Sequence, residues 1–94
     1  MRSKGYGLAG QRMNNFFYVY ILVSQADETR HYTGLTRDLE SRLLEHNQGA
    51  CARTTRCRPW CIETAIAFRS EEKARAFERY LKSGSGREFA RRHF

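Results

Sequence analysis

Eight consecutive aromatic and aliphatic side chains, Phe16-Phe17-Tyr18-Val19-Tyr20-Ile21-Leu22-Val23, constrain this chain more than any other feature. An unbroken run of aromatic and β-branched residues suits a strand buried on both faces, since alternate side chains point to opposite sides and neither side here is polar. No run approaches the roughly 18 apolar residues that a membrane span needs. In a chain of 94 residues there is room for one modest core around such a strand. Aromatic residues make up 13% of the chain, more than a permanently unfolded one carries.

The rest of the layout is read outward from that strand. Ser24 to Arg30 is polar and reads as a turn, and His31-Tyr32-Thr33-Gly34-Leu35-Thr36 as a second strand in a hairpin with the first. Gly34 weakens a strand interior, so it marks either a bulge or a close approach to the backbone. Thr36 or Asp38 caps a helix running to about Asn47, with Asp38 and Glu40 in its favourable first turn. A basic loop from Cys51 to Pro59 leads into a third strand, Trp60 to Phe68. Ser70 then caps a second helix, with Glu71 and Glu72 in its first turn, that ends near Lys82. Ser83-Gly84-Ser85-Gly86 reads as a turn and Arg87 to His93 as a short terminal helix. The expected fold is a small α/β (α+β) domain on a three-stranded sheet flanked by helices, in the order β-β-α-β-α-α. Residues 1–12 read as a flexible basic leader and 13–94 as the folded domain. The start of the chain has no apolar secretory stretch. Cys51, Cys57 and Cys61 show neither a Cys-x-x-Cys pair nor a matching histidine spacing. They read as reduced thiols of a cytoplasmic protein rather than as zinc ligands.

The net charge of +7 asks for a polyanionic partner, nucleic acid before an anionic membrane surface. The charge is segregated. The segments 1–12, 13–48, 49–69 and 70–94 carry +3, −2, +3 and +3. Most of the basic residues are Arg, the better side chain for two-pronged phosphate contacts.

Ionisable groups stand where the helices should be apolar. The core-facing spacing i, i+3, i+4, i+7 selects Leu39, Arg42, Leu43 and His46 in the first helix, and Ala74, Phe77, Glu78 and Leu81 in the second. Arg42 and His46 lie one turn apart and are neighbours on one face. Both could also be ordinary groups flanking an apolar stripe, and Glu78 could pair with Lys82 four residues on. If the three converge over a sheet that carries Tyr20 and Tyr32, they supply a phosphate contact, a proton carrier and a cation ligand. Those are the parts of a phosphodiester hydrolase. One carboxylate with several waters is the usual way of holding magnesium.

With these residues in hand, the chain resembles the GIY-YIG endonuclease superfamily over residues 16–94. Val19-Tyr20-Ile21 is a degenerate form of the first motif, with Val for Gly, and Tyr32-Thr33-Gly34 of the second, with Thr for the central Ile. The two tyrosines are twelve residues apart on the paired strands. Arg42, His46 and Glu78 match the family's Arg, His and metal-binding Glu. The segment Tyr80 to Arg87 is similar to a small stand-alone bacterial subgroup related to the nuclease domain of the excision-repair endonuclease.

The resemblance implies a metal-dependent endonuclease acting in DNA repair or recombination. Tyr20 would be the base or its relay, supported by Tyr32 and His46, with Arg42 on the phosphate and Glu78 holding Mg²⁺ or Mn²⁺. Many relatives carry a late Asn, which is missing here after Glu78; Ser83, Ser85 or Arg87 occupies that neighbourhood. No appended DNA-reading module is seen, so structure-guided or weakly specific cleavage is expected, of DNA before RNA. Arg53, Arg56, Arg58, Lys82, Arg87, Arg91 and Arg92 form the expected rim that steers a backbone towards Glu78. A repair protein is a further possible partner, and the expected state is a monomer or weak dimer. The rival readings are a non-catalytic nucleic-acid-binding module on the same scaffold and a domain that docks a repair partner.

Overall fold

The computed structural model describes residues 15–94, so the expected leader over 1–12 and the domain start at Met13 lie outside the described residues. The elements follow in the expected order: β1 (Phe17–Ser24), β2 (His31–Thr36), α1 (Leu39–Asn47), β3 (Trp60–Phe68), α2 (Glu71–Leu81) and α3 (Gly84–His93). A single 3-10 turn, Thr55–Cys57, interrupts the basic loop. The sheet is antiparallel throughout, in the order β2-β1-β3.

The apolar run takes the middle place because it alone has no polar face. Val19 and Ile21 pack with Ala74 and Leu81, supported by Phe77 and Phe89, so α2 and α3 cover that side. Tyr20 and Leu22 point the other way, against Trp60, Leu39 and Leu43, so α1 covers the opposite side. Leu22, at 0% exposure, contributes on the order of 1.5–3 kcal/mol through burial of its side chain.

Polar groups organise the ends of these elements. Ser24 is the last residue of β1 rather than the first of the turn. Its hydroxyl donates to the Cys57 carbonyl at 2.6 Å and accepts from the Ala26 and Asp27 N–H groups, so it ties the hairpin to the basic loop. Asp38, the cap of α1, accepts from the Ser41 N–H, and Ser70 does the same for α2 from the Lys73 N–H.

The segment Ser83 to Gly86, read as a turn from its sequence, is instead the cap and first turn of α3. Ser83 Oγ accepts from the Gly86 N–H at 3.2 Å. Gly86 is buried against the Tyr80 carbonyl, where any Cβ would overlap the main chain of α2. The two glycines thus do not break a helix here. Gly86 lets α3 begin within touching distance of the end of α2, a case of packing overriding poor local helix propensity.

Candidate active site

Tyr20 and Gly34 face each other directly across β1 and β2, and this ladder has no slip. The irregularity of the sheet lies elsewhere, between Ile21 and Leu22 on the β3 side. Of the two roles open to Gly34, close approach is the one observed: the outer end of the Tyr20 ring lies over it. A β-carbon at Gly34 would overlap the Tyr20 hydroxyl. Gly34→Ala is therefore expected to displace the phenol and cost about 1–3 kcal/mol, as overpacking of a filled site does. A Gly34→Ala protein with an unchanged urea midpoint contradicts this placement.

The Tyr20 hydroxyl lies 2.9 Å from His46 Nε2. Both side chains are buried, at 2% and 0% exposure. The second ring nitrogen, Nδ1, lies 2.8 Å from the hydroxyl of Thr54, also wholly buried. Tyr32 completes a cluster of three rings, its centroid 5.0 Å from His46 and 6.4 Å from Tyr20. The Arg42 guanidinium lines the same cavity as Tyr20 and donates at 2.7 Å to the Glu45 carboxylate.

These contacts set the resting protonation. Burial pushes the Tyr20 phenol above its ordinary value, a shift that the nearby Arg42 guanidinium opposes. Burial first, then the Arg42 charge, lowers His46 below its ordinary value of 6.5. The phenol is therefore protonated and the imidazole neutral at neutral pH. Above pH 6.5 the contribution of neutral His46 to stability is fully present. As pH falls below that value the unfolded chain takes up the proton first, so stability drops until pH passes the lower folded-state value. The melting temperature is expected to fall between about pH 7.5 and pH 5, and His46→Gln to flatten that slope. Asp27 and Glu88, whose carboxyls are held below ordinary values of 3.8 and 4.5, act further down the scale. A wild-type melting temperature that stays level or rises on acidification contradicts a buried neutral His46.

Tyr20, Tyr32, Arg42 and Glu78 line one cavity of about 380 Å³ that wraps around the edge strand β2. Arg42 comes from the helix on one face of the sheet and Glu78 from the helix on the other. His46 stands behind Tyr20, in contact with its hydroxyl. The Glu78 side chain is 19% exposed, and its Oε2 pairs with Lys82 at 3.0 Å. Glu78 thus both pairs with Lys82 and lines the cavity. Among the described residues no three His, Cys, Asp or Glu side chains gather as metal ligands. A divalent cation at Glu78 would be held by at most two cavity carboxylates, Glu78 and Glu71, and by water, a donor set that fits Mg²⁺.

Sequence reasoning missed three further charged groups in this cavity: Arg37, Glu71 and Arg75. Glu71, Arg75 and Glu78 follow an i, i+4, i+7 stripe, a signal present in the sequence. Arg75 pairs with Glu71 at 2.7 Å, and the Arg37 guanidinium lies 4.8 Å from the centre of the Phe17 ring.

The expected basic rim is only partly assembled. Arg53, Lys82, Arg87 and Arg91 line a second cavity of about 600 Å³ that shares Tyr32 with the first. Arg56, Arg58 and Arg92 line neither cavity. Arg58 is folded back instead, donating to the Thr55 and Asn47 carbonyls over Gly49, where it braces the loop. Arg87 is the one of the three candidates for the late Asn position that lines either cavity; Ser83 is occupied in capping α3.

The family model of the GIY-YIG catalytic domain matches residues 16–91. The chain belongs to the GIY-YIG family. A UPF0213 protein of Haloquadratum walsbyi is 43% identical over 67 residues, covering 64% of this chain and 73% of that protein. A UPF0213 protein of Streptococcus pneumoniae is 37% identical over 71 residues, covering 74% and 70%. One of Natronomonas pharaonis is 44% identical over 62 residues, covering 66% and 69%. Archaeal proteins are among these relatives, so the likeness is not confined to the bacterial subgroup expected from the tail. The three-stranded sheet with three helices agrees with the GIY-YIG fold. The family is a nuclease superfamily, a likeness that suggests nucleic-acid binding. Among the described residues no helix is long and apolar enough to cross a membrane.

Proposed function

We propose that this GIY-YIG protein is a divalent-cation-dependent endonuclease that hydrolyses phosphodiester bonds in nucleic acid, DNA before RNA. The observation that carries the reading is the buried Tyr20–His46 hydrogen bond behind a cavity where Arg42 and Glu78 meet from opposite faces of the sheet. A phosphate in that cavity has cationic contacts in Arg37, Arg42 and Arg75. Tyr20 accepts a proton from the attacking water while its own proton passes to His46 Nε2. Arg42 opposes the rise in the phenol's affinity for its proton and sits beside the negative charge that builds on the phosphate. A phosphorus–oxygen bond forms to the water oxygen, and the bond to the leaving oxygen breaks. Glu78 would hold Mg²⁺ or Mn²⁺, which supplies Lewis-acid charge stabilisation. The cavity lined by Arg53, Lys82, Arg87 and Arg91 extends the cationic surface along the same sheet edge, room for a backbone beyond the reacting phosphate.

A module that only binds would have no use for a carboxylate facing the phosphate or for a neutral imidazole buried behind a phenol. Labelled single strands, duplex, flap, Holliday junction and RNA, each incubated with Mg²⁺ and with Mn²⁺, test the reading. Cleavage concentrated on branched or flapped DNA supports structure-guided action, in keeping with repair or recombination. Retention of every substrate with cleavage of none returns the protein to the binding-module class. Binding should also weaken as salt rises, because phosphate contacts release counterions.

A further inference from the structure

Thr54 is a polar residue with 0% exposure in the basic loop, and the reaction outlined above does not use it. Its hydroxyl lies 2.8 Å from His46 Nδ1 and 3.3 Å from the Cys51 carbonyl oxygen. Its main chain is held from two sides. The Trp60 indole N–H donates to the Thr54 carbonyl at 2.8 Å, and the Thr54 N–H donates to the Cys51 carbonyl at 3.1 Å. The hydroxyl is thus presented to the back of the His46 ring by a fixed loop.

Tyr20, His46, Thr54 and the Cys51 carbonyl form one chain of hydrogen bonds. Its first three members can each donate and accept, but the carbonyl at its end only accepts. That end sets the direction. The Thr54 O–H donates to the Cys51 carbonyl, so Thr54 accepts from Nδ1–H, and the bare Nε2 accepts from the Tyr20 O–H. The reverse direction turns the Thr54 proton away from the Cys51 carbonyl and onto Nδ1.

We propose that Thr54 is a positioning residue whose hydroxyl holds His46 in the Nδ1–H tautomer, so that the Nε2 lone pair faces Tyr20 and can only receive its proton. The proposal deepens the nuclease reading and rests on it for its consequence in catalysis. When water gives a proton to Tyr20, the original Oη–H bond breaks and an Nε2–H bond forms. His46 becomes an imidazolium that donates to Tyr20 through Nε2 and to Thr54 through Nδ1. Thr54 accepts from Nδ1 before and after the transfer, so nothing behind the ring has to turn. Such control of one ring nitrogen through the partner of the other is how histidine tautomers are set in proteins.

The test combines long-range ¹H–¹⁵N spectra of the His46 ring with pH–rate profiles for the wild type, Thr54→Val and Thr54→Ser. In the wild type and in Thr54→Ser, Nδ1 is expected to be protonated and Nε2 bare. In Thr54→Val the ring should move towards the Nε2–H form. Cleavage should then fall roughly 10- to 100-fold, the loss usual when a histidine loses its orienting partner. The rising limb of the pH profile should also shift upward, because the phenol proton has no acceptor behind it. An Nε2–H ring in the wild type overturns the proposal. So does Thr54→Val with unchanged ring shifts and an unchanged profile. If Thr54→Val does not fold, the wild-type spectrum still decides the tautomer. A folded wild type with the Nδ1–H ring that cleaves no substrate upholds the tautomer and overturns the nuclease reading.

Discussion

Tyr20→Phe is expected to lower the cleavage rate by roughly 10²- to 10⁴-fold, the usual contribution of a positioned acid–base group. The substitution removes one oxygen atom and keeps the ring that fills the space between Trp60, Leu22 and Gly34. It also leaves His46 Nε2 without its partner. A buried acceptor left unpaired costs about 1–3 kcal/mol, so the variant should melt earlier while still folding cooperatively. The two readouts separate the roles of the hydroxyl. A folded Tyr20→Phe protein that cuts at the wild-type rate removes the phenol from the chemistry, whatever it does for stability. Loss of cutting with the near-ultraviolet circular dichroism of a folded protein is the expected pattern.

Glu78→Ala is expected to abolish metal-stimulated cleavage, a loss on the order of 10³-fold if the cation contributes several kcal/mol to the transition state. Stability should change little, since a pair with a half-exposed Lys82 is worth about 0–1 kcal/mol. The carboxylate faces the cavity from α2, and its apolar neighbours on that helix, Ala74, Phe77 and Leu81, provide the packing. Glu78→Asp gives a finer reading. It keeps the charge and retracts the oxygens by one methylene, so the Mg²⁺ or Mn²⁺ concentration for half-maximal rate should rise. If Glu78→Ala keeps the wild-type rate and metal dependence, Glu78 is a partner of Lys82 and nothing more.

Much of the site was legible because polar residues stood where a helix needs apolar ones. The i, i+3, i+4, i+7 spacing singled out Arg42, His46 and Glu78, and all three are at least partly withdrawn from solvent. Two roles for Gly34, a bulge or a close approach, were legible too; that it is close approach, and that Tyr20 is the group approaching, depends on the packing.

Other features depend on packing that no local pattern encodes. Thr54 is one of several hydroxyl residues in a basic loop, and only the Trp60 indole and the Cys51 carbonyl turn it towards His46. Arg58 looked like its neighbours Arg53 and Arg56 until the loop folded it over Gly49. The run Ser83 to Gly86 has the composition of a turn, yet it begins a helix because Gly86 is the residue that fits beside the Tyr80 carbonyl. Arg37 and Arg75 reach the cavity from a strand end and a helix face that carry no apolar anomaly, so the spacing test passed over them.

The most direct measurement is nicking of supercoiled plasmid by the purified wild-type protein with Mg²⁺ or Mn²⁺, beside the same reaction in excess EDTA. A metal-dependent endonuclease converts the supercoiled form to open circle only in the reactions with free divalent cation. It should lose that conversion in Tyr20→Phe and in Glu78→Ala. The contradicting result is a folded protein that binds the plasmid and leaves it supercoiled with either metal, or one whose nicking persists in EDTA.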